Sequence, residues 1–310
     1  EKYTTHSLKP GHPESAERLL AIRKILNNNG IIKDLIQINP RADRDFITKA
    51  VLRIHSESHI KKIIDCGQMA EPIFLAAGGA LAAVDAVMTE KIHNCFCAVR
   101  PPGHHAHNHG PHCDGWFQGE GFCFFNNIAV AARYAQNVYG CERVLIADWD
   151  FHHGNGTEWA FYDDPSVFYF STHALNTYPM TGFPTRTGKA KGRGFNLNVP
   201  LQPGAGDKEI IAAWQEQLLR ALRKQNFKPD LILISAGFDS RKDDYLGNFT
   251  VSDKGFSRLT ELILQLASTH CSGRVISLLE GGYNPSGLAR AVYAHLKTMS
   301  MHCKAENSVA

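Results

Sequence analysis

The chain has no internal repeat, no low-complexity tract and no linker long enough to divide it, which excludes solenoids and loosely joined arrays. Its formal net charge of +3 is too small to drive electrostatic nucleic-acid binding, and the basic residues from Arg186 to Arg193 are diluted by glycine. No direct nucleic-acid contact is therefore expected. No apolar run approaches the ~18–20 residues that cross a bilayer, so no membrane span is expected either. The start, Glu1-Lys2-Tyr3, has neither a signal-like apolar stretch nor an initiator Met. It reads as trimmed, which leaves room for a removed targeting segment. The eight cysteines include no Cys-x-x-Cys pair, and Cys95, Cys97, Cys123 and Cys271 are placed as reduced core thiols usually are. A reducing, cytoplasmic compartment is the expectation.

With 310 residues, 44% of them hydrophobic, the chain can bury a large core and fits one enzyme-sized unit. Short apolar runs at 95–99, 144–147, 167–170, 231–236 and 275–279 predict buried strands. Helical spacing predicts helices over 14–28, 76–89, 128–139, 208–225, 253–268 and 286–297, several opened by Ser or Asp caps. This alternation gives an α/β fold, a single mainly parallel sheet flanked by helices with its site at the C-terminal ends of the strands. Residues 1–303 are assigned to that domain and 304–310 to a frayed C-terminal tail.

Polar segments gather at the expected strand ends: Arg100 to His105, Asp148 to His153, Ser171 to His173, Gly237 to Asp239, and Glu280 to Tyr283. The densest, Asp148-Trp149-Asp150-Phe151-His152-His153-Gly154-Asn155-Gly156, follows the apolar run 144–147. Because side chains alternate along a strand, Asp150 and His152 should face the same way and grip one cation, with Asp148 one step deeper. Asp239, after the permissive Gly237, is the expected third ligand, although an isolated aspartate there would more often be a cap or turn residue. One nitrogen and two carboxylates with room for water suit a catalytic Zn²⁺, with Fe²⁺ chemically possible. Such a metal acidifies water and polarises a carbonyl, which points to amide or ester hydrolysis. The Pro101-Pro102-Gly103 turn fixes where His104 and His105 project, and the pair is read as general base and general acid. Asp148 and Asn155 stand near enough in sequence to set their tautomers. Tyr283, after Gly281-Gly282, can donate to a developing oxyanion; away from such a rim it would be read as a core residue.

Together, RPPGHHA at 100–106, DWDFHHGNG at 148–156, AGFD at 236–239 and EGGYN at 280–284 resemble the zinc-dependent histone deacetylase family. The likeness is to its class II and bacterial deacetylase-like branch, which includes acetylpolyamine amidohydrolases. It runs from Gly11-His12-Pro13-Glu14 to the helix after Tyr283 and so makes 1–303 a histone-deacetylase-like catalytic domain. The resemblance implies the arginase/deacetylase fold, one Zn²⁺ per subunit on Asp150, His152 and Asp239, proton transfer by His104 and His105, and polarisation of the acyl carbonyl by Tyr283. Asn155, where class I members carry aspartate, is the class II form. The resemblance further implies a structural K⁺ held by Asp148, the backbone oxygens of Asp150 and His152, the Ser171 hydroxyl and the Thr172 backbone. It also places Phe122 and Tyr178 in the walls of the substrate tunnel, the second position usually being phenylalanine.

Two departures bear on substrate. Leu246 stands where a polyamine-specific eukaryotic relative has a glutamate gatekeeper, and Tyr245 where the family usually has proline. Residues 107–120 form a long, histidine-rich connection; a tunnel rim or a homo-oligomer contact is favoured there over a second metal on His107, His109, His112 and Cys113. The leading expectation is a deacylase acting on acetyl-lysine or another short acyl-lysine in proteins or peptides. The alternative is an acetylpolyamine amidohydrolase in which Asp114 or Glu120 replaces the missing gatekeeper. More remote are a non-catalytic acyl-lysine binding module, since every ligand and Tyr283 is present, and a binuclear manganese ureohydrolase, since residue 241 is Arg where the second metal would want Asp.

Overall fold

The structure, a computed structural model, describes residues 2–6, 8–110 and 119–307. The chain opens with helices α1 (Glu17–Asn28), α2 (Arg44–Val51), α3 (Glu57–Asp65) and α4 (Ala70–Met88), before strand β1 (Asn94–Cys97). There follow α5 (Asn127–Tyr139), β2 (Val144–Asp148), α6 (Asn155–Phe161), β3 (Val167–Ala174) and β4 (Asn196–Leu201). The last third holds α7 (Asp207–Ala212), α8 (Leu219–Lys224), β5 (Leu231–Ala236), α9 (Asp253–His270), β6 (Val275–Leu279) and α10 (Pro285–Asn307). The described strands form one parallel sheet in the order β1-β6-β5-β2-β3-β4.

Alternation along the strands divides the core between the two faces of the sheet. Leu145, Ala147, Phe168, Phe170, Ile232 and Ile234 pack with α1, α9 and α10, whereas Val144, Ile146, Val167, Tyr169, Leu231 and Leu233 pack with α4 and α5. Each fully buried Val, Leu, Ile or Phe among them contributes about 1.5–3 kcal/mol, so the two layers hold the sheet rigidly beneath the loops at its ends.

β4 lies outside the apolar runs read from the sequence, because Asn196, Asn198 and Pro200 interrupt it; it is an edge strand, where proline is tolerated. The short helices α2 and α3 also lie outside those readings; they are opened by Asp43, which accepts the amides of Asp45 and Phe46, and by Ser56, which accepts that of His59. The single helix expected over 208–225 is α7 and α8 joined by a π-helical turn, Ala213–Leu218, that buries Trp214. The stretch Gly67–Met88 is long and apolar enough, by length and composition, to span a bilayer, although 78% of its apolar window is buried inside the protein. Glu71 and Asp85 break the run as read in sequence without breaking the helix.

Candidate metal centre and active site

The order of the sheet reverses direction at β2, since the chain moves outward from β2 to β3 and β4 on one side and returns through β5 on the other. The crevice beyond the ends of β2 and β5 is where open α/β sheets hold ligands. β2 stops at Asp148, in register with Ser171 of β3 and Ser235 of β5, so Asp150 and His152 do not continue its alternation as expected. Carboxylate-to-amide bonds turn the chain instead. Asp148 Oδ1 accepts the amide of Asp150 at 3.0 Å, Asp150 Oδ1 that of His152 at 2.9 Å, and Asp239 Oδ1 that of Phe151 at 2.9 Å. These bonds bring Asp150, His152 and Asp239 together by loop geometry: His152 Nδ1 lies 3.0 Å from Asp239 Oδ2 and 3.3 Å from Asp150 Oδ1. One ligand atom from each of the three lies within 4.8 Å of the others.

This donor set fits a divalent metal. Both carboxylates are buried, and two such charges repel unless a cation stands between them. Burial, reinforced by Asp150, pushes Asp239 up to about 7. Asp150 is held low despite its burial, because His104 and His152 face it. Burial opposes a charge on His152, but Asp150 and Asp239 raise it to about 10. The backbone leaves room only for glycine around the cluster. A Cβ at Gly237 would strike Asp150, and one at Gly281 would strike Oδ2 of both Asp150 and Asp239. Outer oxygens bound to backbone amides, with Gly281 N donating to Asp150 Oδ2 at 2.8 Å, provide the oriented second layer typical of metal ligands.

The two neighbouring histidines sit against this cluster, their rings 4.1 Å apart at the centroids. His104 Nδ1 is 3.1 Å from Asp148 Oδ2, and its Nε2 is 3.8 Å from Asp150 Oδ1. Burial disfavours its charge, but Asp150 and Asp148 override burial and raise it to about 10. His105 has the opposite environment. Burial, then the charges of His104 and His152, hold it well below the usual histidine range, with Nδ1 at 2.6 Å from Asn155 Oδ1. Glu280, noticed in the sequence only as part of a motif, supplies what fixes the pair: its buried Oε2 accepts the amides of Gly103 at 2.7 Å and His104 at 3.1 Å. Burial pushes that carboxyl up to about 7.

Tyr283 is 5% exposed, packed edge-on against Phe122 at 5.8 Å, with the Arg18 guanidinium 5.2 Å from its ring. Arg18 Nε also donates to the carbonyl of Gly282 at 2.7 Å, a contact with no signal in the local sequence. Tyr178 flanks His105 at 5.1 Å and His152 at 6.1 Å, and Leu246 is exposed on the loop after Asp239. Ser171 and Thr172 lie inside β3 rather than beyond it; the Ser171 hydroxyl is 2.8 Å from His173 Nδ1, and the Thr172 hydroxyl accepts Trp214 Nε1 at 3.1 Å. Glu120 is turned back onto His107, 2.6 Å from its Nδ1. The readings placed on His112, Cys113 and Asp114 lie outside the described residues. Open clefts of about 440 and 420 Å³ beside β1 share no residue with the metal cluster.

A model of the histone deacetylase domain matches residues 64–299. The chain belongs to the histone deacetylase family. Within this family it is similar to a protein of Archaeoglobus fulgidus named "Probable deacetylase", 34% identical over 304 residues that cover 93% of this chain and 80% of the other. It is also similar to "Polyamine deacetylase HDAC10" of Mus musculus, 42% identical over 231 residues covering 73% of this chain but 33% of that protein. The crystal structure of the HDA15 HD domain matches it with a TM-score of 0.87 at 34% identity, over 97% of this chain and 87% of that one. Histone deacetylases are amide hydrolases, and this chain carries an amidohydrolase domain of that type on the arginase/deacetylase fold.

Proposed function

We propose that this histone deacetylase family member hydrolyses the amide of acetylated or other short-acyl lysine in proteins or peptides, with one zinc ion held by Asp150, His152 and Asp239. The observation that carries the reading is the meeting of that open three-ligand cluster with His104 on Asp148, His105 on Asn155 and Tyr283 at one end of the sheet. When bound, zinc supplies a Lewis acid that polarises the acyl carbonyl and acidifies water. His105 donates Nδ1–H to the Asn155 carbonyl oxygen, which leaves the Nε2 lone pair free to take a proton from the attacking water. His104, charged through Asp150 and Asp148, is the acid of the pair. As the C–N bond breaks, His104 gives its proton to the leaving nitrogen and is restored by the proton that His105 took from water; the carboxylic acid formed passes its own proton to the amine, so the products are a carboxylate and a lysine ammonium. Burial, with Asp239 nearby, pushes Tyr283 well above the usual phenol range, so its hydroxyl keeps its proton and donates it to the oxygen that gains charge.

Phe122 and Tyr178 are assigned to the tunnel walls and Leu246 to its mouth. Structural potassium is assigned to Asp148, the backbone oxygens of Asp150 and His152, the Ser171 hydroxyl and the Thr172 backbone, supported by the register pairing of Asp148 with Ser171. Residues 1–303 are assigned to the catalytic domain and 304–310 to a tail. A reducing cytoplasmic setting is assigned because Cys95, Cys97, Cys123 and Cys271 lie in apolar stretches as reduced core thiols do. Contact between copies through 107–120 is proposed as the route to any homo-oligomer.

The relative named as a polyamine deacetylase supports acetylpolyamine hydrolysis as the second reading. Side-by-side turnover of acetyl-lysine peptide, longer acyl-lysine peptides, acetylputrescine and acetylspermidine by zinc-replete enzyme decides between them. A higher kcat/KM for the lysine peptide is expected, and a higher value for acetylspermidine would refute the first reading in favour of the second.

A further inference from the structure

Asp244 is bound through both of its carboxylate oxygens. Oδ2 accepts the backbone amides of Tyr283 at 2.7 Å and Asn284 at 3.2 Å, and Oδ1 accepts those of Leu246 at 2.9 Å and Gly247 at 3.3 Å. A parallel bond, Asn284 Nδ2 to the carbonyl of Asp243 at 2.8 Å, ties the same two segments together. One segment carries Tyr283. The other carries Leu246 and doubles back onto Asp239, where Gly247 lies so close to the Asp239 carbonyl that a Cβ would collide with it. We infer that Asp244 is a positioning residue that sets the Tyr283 phenol and the Leu246 mouth in one fixed relation. The inference rests on the reading of Tyr283 as the oxyanion donor.

Other contacts leave this task open. Phe122 and Arg18 constrain the ring of Tyr283, and Arg18 holds the Gly282 carbonyl. The backbone just before Tyr283 is nonetheless permissive, since Gly282 adopts a φ of +120°, and Asp244 is the group that pins the Tyr283 amide itself. With four amides on its two oxygens, Asp244 also has little acceptor capacity left for a second ammonium of a substrate. A plainer role exists, because the amides of Tyr283 and Asn284 directly precede Pro285 and a carboxylate there faces the N-terminus of α10, beside the Asn284 side chain that accepts the Gly287 amide. A cap alone would alter stability and leave turnover per folded molecule unchanged.

A double-mutant cycle separates the two roles. Wild type, Asp244→Asn, Tyr283→Phe and the double variant are compared as zinc-replete full chains, by kcat and KM on an acetyl-lysine peptide, zinc content and Tm. Asparagine keeps the size of the side chain but offers a carbonyl oxygen to only one pair of amides and points N–H groups at the other. The expected result is a kcat lowered by about 10- to 100-fold at unchanged zinc content, with a smaller change in KM. In the Tyr283→Phe background the same substitution should cost less than about 2-fold. Equal fold-losses in both backgrounds, or a normal kcat with only a lowered Tm, overturn the inference and leave Asp244 a helix cap. A Tyr283→Phe enzyme with normal kcat overturns the oxyanion reading and this inference with it; a slow one with additive losses overturns this inference alone. If Asp244→Asn does not fold, Asp244→Ser, which keeps one acceptor oxygen, is run through the same cycle and judged by the same criteria.

Discussion

Gly281→Ala tests the metal centre from the backbone side. The added methyl would lie in hard contact with Oδ2 of both Asp239 and Asp150, two of the three assigned ligands. A carbon normally stays about 3.3–3.6 Å from an oxygen, so either a ligand oxygen or the 280–283 backbone must retreat by on the order of 1 Å. Neither moves freely. The other oxygens of Asp150 and Asp239 are held by the amides of His152 and Phe151, and Glu280 just before residue 281 is bonded to Gly103 and His104. Metal sites tolerate ligand shifts of about 0.2 Å, and disturbing the groups that orient ligands costs about 10- to 100-fold in affinity. Overpacking itself costs about 1–3 kcal/mol. Gly281→Ala is therefore expected to fold with a lowered Tm, to lose zinc to a chelator about 10- to 100-fold more readily, and to show a kcat reduced about 10²-fold even at saturating zinc. The assays are elemental analysis after dialysis, chelator competition, thermal melts and turnover with added zinc. Stoichiometric zinc together with wild-type kcat would refute the placement of Asp150 and Asp239 around a catalytic metal.

Asp239→Asn should lose zinc markedly in elemental analysis, and full occupancy with full activity would remove Asp239 from the site. Tyr283→Phe should lower kcat about 10²-fold or more with little change in KM, whereas normal turnover would eliminate the phenol as oxyanion donor. Leu246→Glu should shift the ratio of kcat/KM values toward acetylspermidine by placing a carboxylate at the mouth; an unchanged ratio would show that residue 246 does not face the second ammonium. Glu14→Gln should cost about 3–5 kcal/mol in urea unfolding, because Glu14 lies buried 2.7 Å from Arg100 and 3.2 Å from Arg18, and its loss leaves both buried guanidiniums without their carboxylate. Burial favours the neutral acid, but the two arginines win and hold Glu14 below the usual carboxylate range. Its stabilisation is thus complete above about pH 5 and lost as pH falls toward the depressed folded value, so an acid limb identical in wild type and Glu14→Gln would contradict this account.

The metal cluster was legible because its residue types are costly to place where they stand. Aspartate and histidine directly after a buried β-branched run need a reason, and ligation supplies one. The premise of strand alternation was nevertheless wrong, since β2 ends at Asp148 and the three candidate ligands meet through carboxylate-to-amide bonds. The fold class followed from apolar runs alternating with helical spacing, while β4 escaped because Asn196, Asn198 and Pro200 interrupt it, and α6 because it begins at Asn155, inside the motif read for its ligands. Glu280 and Asp244 carried no such mark, for a different reason. Glu280 acts across 177 residues on Gly103, and Asp244 across 39 residues on Tyr283, in each case on a backbone amide. A backbone amide has no residue identity, so no pattern of side chains in the sequence can announce that it will be the partner. The carboxylates of the candidate site divide accordingly: those assigned to the metal are marked by their neighbours, and those bonded to loop amides are visible only once the loops are folded against each other.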